Sequence, residues 1–408
     1  MAVIGASALG LDYVLKPNQS STTQTSSALT SSLGPPPLIS NFQWQPTRVV
    51  NGKVYDATIS LNIQSSSPLT QLTATLDAFA PTIPARAYPA EPQQTLHFTP
   101  STPATGLYSA QVTSLLGGKQ YQLSVTAKDS EGNIAATDFE TPYVREFESL
   151  VGKSSVQVGA QYGMWFDWAP WVPNKQGWTL LYHPLLGDYD SRDPIVISRH
   201  LDWLSGHGIG IVLPVIMNSE TYQYIRLLMT NPLASDVKIA ITYSLPDMLG
   251  GNDLTGGTID LNSTTTSKLS QDFASMAGDF LSRPNYYTIE GKPVVYLYQT
   301  GVLQGDVQSS IGDLRSSVAK DFGLDLFLIG DTMESWVHPD GAHVRPFDAI
   351  SKWLGYDHDV CCANYNAYLD DDYSTWNSIA KGLDVCFIPT ATPGFHATRP
   401  RHPEQIPY

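Results

Sequence analysis

Between Gln161 and Trp171 the chain reads QYGMWFDWAPW, and Trp165, Trp168, Trp171 and Trp178 are four of its nine tryptophans. Indole faces gathered beside a strand end form a platform on which the apolar faces of sugar rings can stack. Carboxylates follow at intervals, with Glu220, Asp247, Asp331, Glu334 and Asp357 among them. Glycosidic bonds are cleaved by paired carboxyls, ~5–5.5 Å apart for retention and ~6.5–9.5 Å apart for inversion. Spacing along a chain reveals neither separation, so the catalytic residues stay unassigned, with Asp331 and Glu334 as candidates.

These residues need a scaffold, and from about residue 150 to 408 the sequence supplies one. Apolar runs at 156–166, 208–216, 237–244, 292–298, 324–331, 349–356 and 384–391 read as strands. Helical patterns lie between them. In DPIVISRHLDWLSGHG, Asp193 can cap, Pro194 takes the first helical position, and Gly206 and Gly208 end the run. Near-continuous apolar strands alternating with helices predict a parallel sheet, and seven such units predict a (β/α)8-type barrel that lacks its last strand.

Working residues in such barrels stand at the C-terminal ends of the strands. Those positions select Tyr162, Trp165, Trp168, Glu220, Tyr243, Tyr298, Trp353 and His396 as substrate contacts, an aromatic and carboxylate lining poor in lysine. Other readings stand beside these. Trp165 and Trp168 can be interdomain contacts, Tyr243 and Tyr298 can be core rings, and Asp331 can cap the next helix. Trp203 falls at core spacing and is assigned to packing. The run Asp370-Asp371-Asp372 can bind calcium or stand at a solvated helix N-terminus, the second being preferred.

The first third of the chain has a different rhythm. Residues 38–147 alternate in short segments broken by turn residues, the pattern of an antiparallel β-sandwich of the fibronectin type III or immunoglobulin-like kind. Residues 17–37, PNQSSTTQTSSALTSSLGPPP, form a linker that cannot bury enough apolar surface to fold. Residues 1–16 hold an apolar run too short to span a bilayer, read as the stub of an export or anchor segment. A multidomain extracellular or cell-surface protein is expected, attached to a membrane or surface through its N-terminus. The triplets Asn18-Gln19-Ser20 and Asn262-Ser263-Thr264 fit that location.

Composition narrows the partners. The 408 residues carry 23 Lys plus Arg against 38 Asp plus Glu, for a net charge of -15. Such a balance argues against nucleic acid, whose phosphates need clustered cations. Cys361, Cys362 and Cys386 show no zinc-ligand spacing, so neither metal nor cofactor is expected. Cys386 can pair with either of the others, or all three can be free thiols.

Four ordered segments carry a family resemblance: HPLLGDYDSRDPIVISRHLDWLSGHGIGIVL, YYTIEGKPVVYLY, FLIGD and FIPTATPGFHATRPRHP. Over roughly residues 156–403 the chain resembles glycoside hydrolase family 99, the endo-α-mannosidase-like barrels. The resemblance implies a retaining endo-glycosidase acting on an α-glycan, mannan included. It also implies two glutamates in an Asn-Glu-Trp setting on an eighth strand, and no such tripeptide occurs up to Tyr408. The second strand departs as well, since GIVLPVIMNS stands where the family is rich in tryptophan. The expectation is a hydrolase-like chain without an identifiable dyad, incomplete at its C-terminus. The rival expectations are a non-catalytic glycan-binding surface protein and a self-associating subunit of a surface layer or filament.

Overall fold

The structure is a computed structural model, and it describes residues 34–50, 53–78, 93–102, 106–164, 186, 189–250, 258–331, 341–351 and 365–391. The chain divides into two compact units, one of residues 1–79 with 89–146 and one of residues 80–88 with 147–408.

Among its described residues the first unit has eight strands: β1 (Leu38–Val50), β2 (Lys53–Gln64), β3 (Leu69–Ala78), β4 (Gln94–Leu96), β5 (Thr99–Thr102), β6 (Leu107–Val112), β7 (Tyr121–Asp129) and β8 (Ile134–Glu140). They form two antiparallel four-stranded sheets in the orders β1-β2-β6-β5 and β4-β3-β7-β8. Alternation dictates the packing. In β2 Ala57, Ile59, Leu61 and Ile63 turn inward, and in β7 Tyr121, Leu123, Val125 and Ala127 do the same, so both sheets contribute to one core. Asp129 closes the SEGN turn between β7 and β8 by accepting from the amides of Glu131 and Asn133 at 2.9 Å each, with Gly132 at φ 89°.

The second unit is built on β9 (Val158–Tyr162), β10 (Ile209–Ile216), β11 (Lys238–Ile239), β12 (Ile241–Ser244), β13 (Ile259–Asp260), β14 (Thr288–Ile289), β15 (Lys292–Tyr298), β16 (Leu303–Gln304), β17 (Phe327–Asp331), β18 (Ala349–Ser351) and β19 (Cys386–Ile388). Its helices are α1 (Pro194–Gly206), α2 (Ser219–Thr230), α3 (Leu245–Leu249), α4 (Ser263–Met276), α5 (Val307–Phe322), α6 (Gly341–Val344) and α7 (Tyr365–Gly382). A parallel sheet runs β9-β10-β12-β15-β17-β18-β19 in strict chain order. Each of the seven apolar runs singled out in the sequence supplies a strand to it. Strand order that follows chain order is what successive right-handed βα units produce on the way to a barrel.

Helices cover the outer face. Tyr243, Phe273 and Phe280 are fully buried between sheet and helices, and burying each such ring contributes ~1.5–3 kcal/mol. Helix α1 starts as its sequence dictates, with the Asp193 carboxylate accepting from the Ile195 amide at 2.8 Å and Pro194 next. Its far side is closed by the segment beginning at Phe147, whose amide donates to Asp202 at 3.2 Å. Contact there is so close that a Cβ on Gly206 would lie 2.2 Å from the Phe147 Cβ. Gly206→Ala is therefore expected to destabilise the second unit by ~1–3 kcal/mol, read as a lower urea midpoint with unchanged slope.

The acidic run lies elsewhere than expected. Helix α7 begins at Tyr365, so Asp370 and Asp371 fall in its second turn, exposed, beyond the reach of a helix N-terminus. No helix among the described residues is long and apolar enough to cross a membrane. Cys386 is exposed, whereas Cys361 and Cys362 lie outside the described residues.

Candidate functional site at the C-terminal rim of the parallel sheet

Register sorts the inward-facing residues into levels. Ala240, Val294 and Phe327 lie deepest, packed against one another. One step towards the C-terminal ends, Thr242, Tyr296, Ile329 and Ala349 stand side by side through the pairs Thr242–Tyr296, Tyr296–Ile329 and Ile329–Ala349. The next level is polar. Ser244 pairs with Tyr298 and Asp331 with Ser351, while the Leu297–Gly330 pair brings Tyr298 beside Asp331. The interior thus changes from hydrocarbon to hydroxyl and carboxylate over two steps, on the end of the sheet where barrels work.

Asp331 anchors this level. It is 0% exposed, and its Oδ2 accepts from the Gln299 amide at 3.2 Å, while its main-chain oxygen accepts from the Thr300 hydroxyl at 2.8 Å. Gln299 has φ 62°, an αL conformation that is costly for a residue with a Cβ and collects at sites where structure over-determines it. That turn directs the Gln299 amide at Asp331 and lays the Gln299 side-chain amide against the Tyr298 hydroxyl at 3.0 Å. Gly330 allows the arrangement, because a Cβ there would lie 2.6 Å from the Phe347 ring.

Burial, followed by the negative charge of Asp331, holds the Tyr296 hydroxyl well above its ordinary pKa, and Ser351 also engages it. Tyr296 therefore stays a neutral donor and acceptor. Across the sheet the Thr242 hydroxyl donates to Gln161 Oε1 at 2.7 Å, and Ser244 donates to Asp247 Oδ2 at 2.5 Å. Asp247 is a second carboxylate of the rim. Strands ~4.8 Å apart put the Ser244 position ~10 Å from that of Asp331.

The expected contacts divide accordingly. Tyr298 is on the inward face. Tyr162 and Tyr243 are not, because each follows an inward-facing residue by one position and a step of one reverses the side of a strand. Tyr243 is 0% exposed and donates to Asp272 of α4 at 2.6 Å; burial and Asp272 push its hydroxyl pKa up. Tyr162 meets His200 of α1, with 2.8 Å between its hydroxyl and Nδ1. Tyr243→Phe is accordingly expected to cost ~1 kcal/mol of stability, measured by urea unfolding.

Glu220 stands exposed in the first turn of α2, its amide donating to the Asn218 cap at 3.0 Å. Trp165, Trp168, Glu334, Trp353 and His396 lie outside the described residues. Trp203 sits on α1 with the Arg199 guanidinium 5.0 Å from its ring centre, in keeping with packing. Among the described residues no group of three His, Cys, Asp or Glu is placed to hold a metal.

Residue type drew attention to tyrosines and passed over Gln161, Thr242, Ser244, Tyr296, Gln299 and Ser351. The signal for most of them was present in the parity of the strands. Reading every second residue of AITYS, VVYLY, FLIGD and AIS from the residue that opens each segment spells apolar, then mixed, then polar. Gln299 carried no such mark, since an αL glutamine is not written in composition.

No protein-family model matches the sequence, and no curated protein matches it. Among solved structures, one described as "Glycoside hydrolase-like protein" superposes with a TM-score of 0.48 at 19% identity, covering 58% of this chain and 71% of that one. The β-glucuronidase of Parabacteroides merdae gives 0.33 at 10% identity over 87% of this chain and 40% of that one. For the Ruminococcus gnavus β-glucuronidase the values are 0.35 and 10%, over 87% and 54%. This chain therefore spans less than two thirds of either β-glucuronidase, and the chemistry of its rim rests on its own residues.

Proposed function

We propose that the second unit is a glycoside hydrolase-like barrel whose C-terminal rim binds an α-linked glycan, mannan being the first candidate. The observation that carries this reading is the polar level formed by Ser244, Tyr298, Asp331 and Ser351 above an apolar interior. Tyr298 is the partly exposed ring of that level, suited to stack on a sugar, and the buried Gln299 beneath it fixes the ring by donating to its hydroxyl at 3.0 Å. Hydrolysis requires two carboxyls in contact with the bond. Asp331 is closed off beneath the rim and engaged by main chain, which favours recognition without cleavage as the activity of this polypeptide. The proposal extends to an extracellular location, supported by the Ser/Thr/Pro-rich residues 17–37 and the Asn18 acceptor triplet.

Titration of the whole chain with α-mannan and α-mannobiose tests it, with product analysis on the same samples. Binding that weakens at least tenfold in Tyr298→Ala, without shortened glycan, is the expected result. Failure of every α-glycan to bind would overturn the reading, and shortened product would replace recognition with hydrolysis.

A further inference from the structure

A second concave site lies on the opposite side of the sheet. Helices α2 and α4 stand apart over the outward faces of Ile216 and Tyr243, leaving a cleft of about 440 Å³, within the ~300–1,000 Å³ of small-molecule sites. Tyr222 forms part of one wall, its ring 4.8 Å from that of Phe280. Beside it Asp279 accepts from the Tyr222 hydroxyl at 2.7 Å and from Arg226 at 2.6 Å. Across the cleft Asp272 accepts from the Tyr243 hydroxyl at 2.6 Å and from Lys268 at 2.5 Å.

Asp279 reaches this position because α4 gives way at Ala277–Leu281 to a π-helical turn, a backbone irregularity that is frequent at functional sites. Burial raises the Asp279 pKa, but the bonds from Tyr222 and Arg226, with the charge of Arg283 from outside the cleft lining, outweigh it and hold the carboxyl below the usual carboxylate range. Each carboxylate is thus closed by one cation and one tyrosine. An anionic ligand would face Asp272 and Asp279, a cationic one Lys268 and Arg226, so a charged ligand finds no uncompensated partner. What the cleft offers is an aromatic wall, the exposed side chains of Gln223 and Ser275, and the rims of two fixed ion pairs.

We propose that this cleft binds a neutral polyhydroxylated ligand, one or two sugar residues in size, independently of the rim. The inference rests on the lining of the cleft and stands whether or not the rim binds glycan.

The test uses the full chain carrying Tyr298→Ala, which removes the rim's stacking ring, in calorimetric titrations with maltose, cellobiose and α-1,2-mannobiose against glucuronate and glucosamine. At least one neutral disaccharide should bind, and more tightly than either charged sugar. Adding Ser275→Trp, an exposed position that fills the cleft, should weaken that binding more than tenfold with an unchanged melting temperature. Gln223→Ala, which leaves the fold untouched, should weaken it about threefold or more. The proposal is overturned if no neutral disaccharide binds, if a charged sugar binds more tightly, or if Gln223→Ala and Ser275→Trp both leave affinity unaltered.

Discussion

Replacing Asp331 with alanine is expected to weaken α-glycan binding at the rim at least tenfold and to lower the stability of the second unit by ~1–3 kcal/mol. Both effects have one cause. The Gln299 amide is buried and donates to the Asp331 carboxylate, so alanine leaves that donor without its acceptor in a place water does not reach. The αL turn at Gln299, costly by itself, loses the bond that repays it, and Tyr298 is released from its level on the inward face. Asparagine separates positioning from chemistry. Its side-chain oxygen can still accept from Gln299 in the same space, so Asp331→Asn should keep affinity within about threefold of the parent chain. If Asp331 instead served as a reacting carboxylate, asparagine would bind glycan normally while abolishing any shortened product. Titration and product analysis of the two variants side by side decide between these, and equal, unchanged affinity in both would remove Asp331 from the site.

The frame of the second unit was legible because parallel strands buried on both faces are continuous apolar runs and the start of α1 is written as Asp193-Pro194, whereas Asn262, read as a glycosylation acceptor, turns out to cap α4. The first unit was legible for the opposite reason, since its strands bury one face each and alternate. The candidate site at the rim was half legible. A parallel strand such as ITYS buries Tyr243 and Thr242 alike, so burial gives no clue to which face each occupies. Only register with neighbouring strands separates Tyr298, facing inward, from Tyr243, facing the helices. The same ambiguity hid Gln161 behind Tyr162. Side-chain contacts made across the chain, such as Asp272 with Tyr243 or Arg226 with Asp279, leave no local pattern, and the α2–α4 cleft was therefore invisible until the helices were placed.

Acid is expected to loosen α1 before it touches the surface ion pairs. His200 lies against Tyr162, Tyr189 and Trp203, with ring centres 5.6, 5.1 and 6.1 Å away, and its Nδ1 is 2.8 Å from the Tyr162 hydroxyl, which donates to it when the neutral ring carries its proton on Nε2. Burial pushes its pKa down from 6.5 to about 4. The unfolded chain then binds more protons than the folded one between those values, so stability is full above pH 6.5 and falls as the pH drops towards 4. A shift of that size corresponds to about 3 kcal/mol. The charges around α1 do not reverse this. Asp190, held low mainly by Arg192 against the effect of burial, loses its contribution only at more acidic pH, below the ordinary carboxylate value. Hydrogen exchange of the α1 amides, Ile195 to Gly206, should therefore accelerate steadily between pH 6.5 and 4 after correction for intrinsic rates. His200→Gln cannot take up the proton and should flatten that slope while preserving an acceptor for Tyr162. An equal slope in both proteins would show that His200 is not the group responsible.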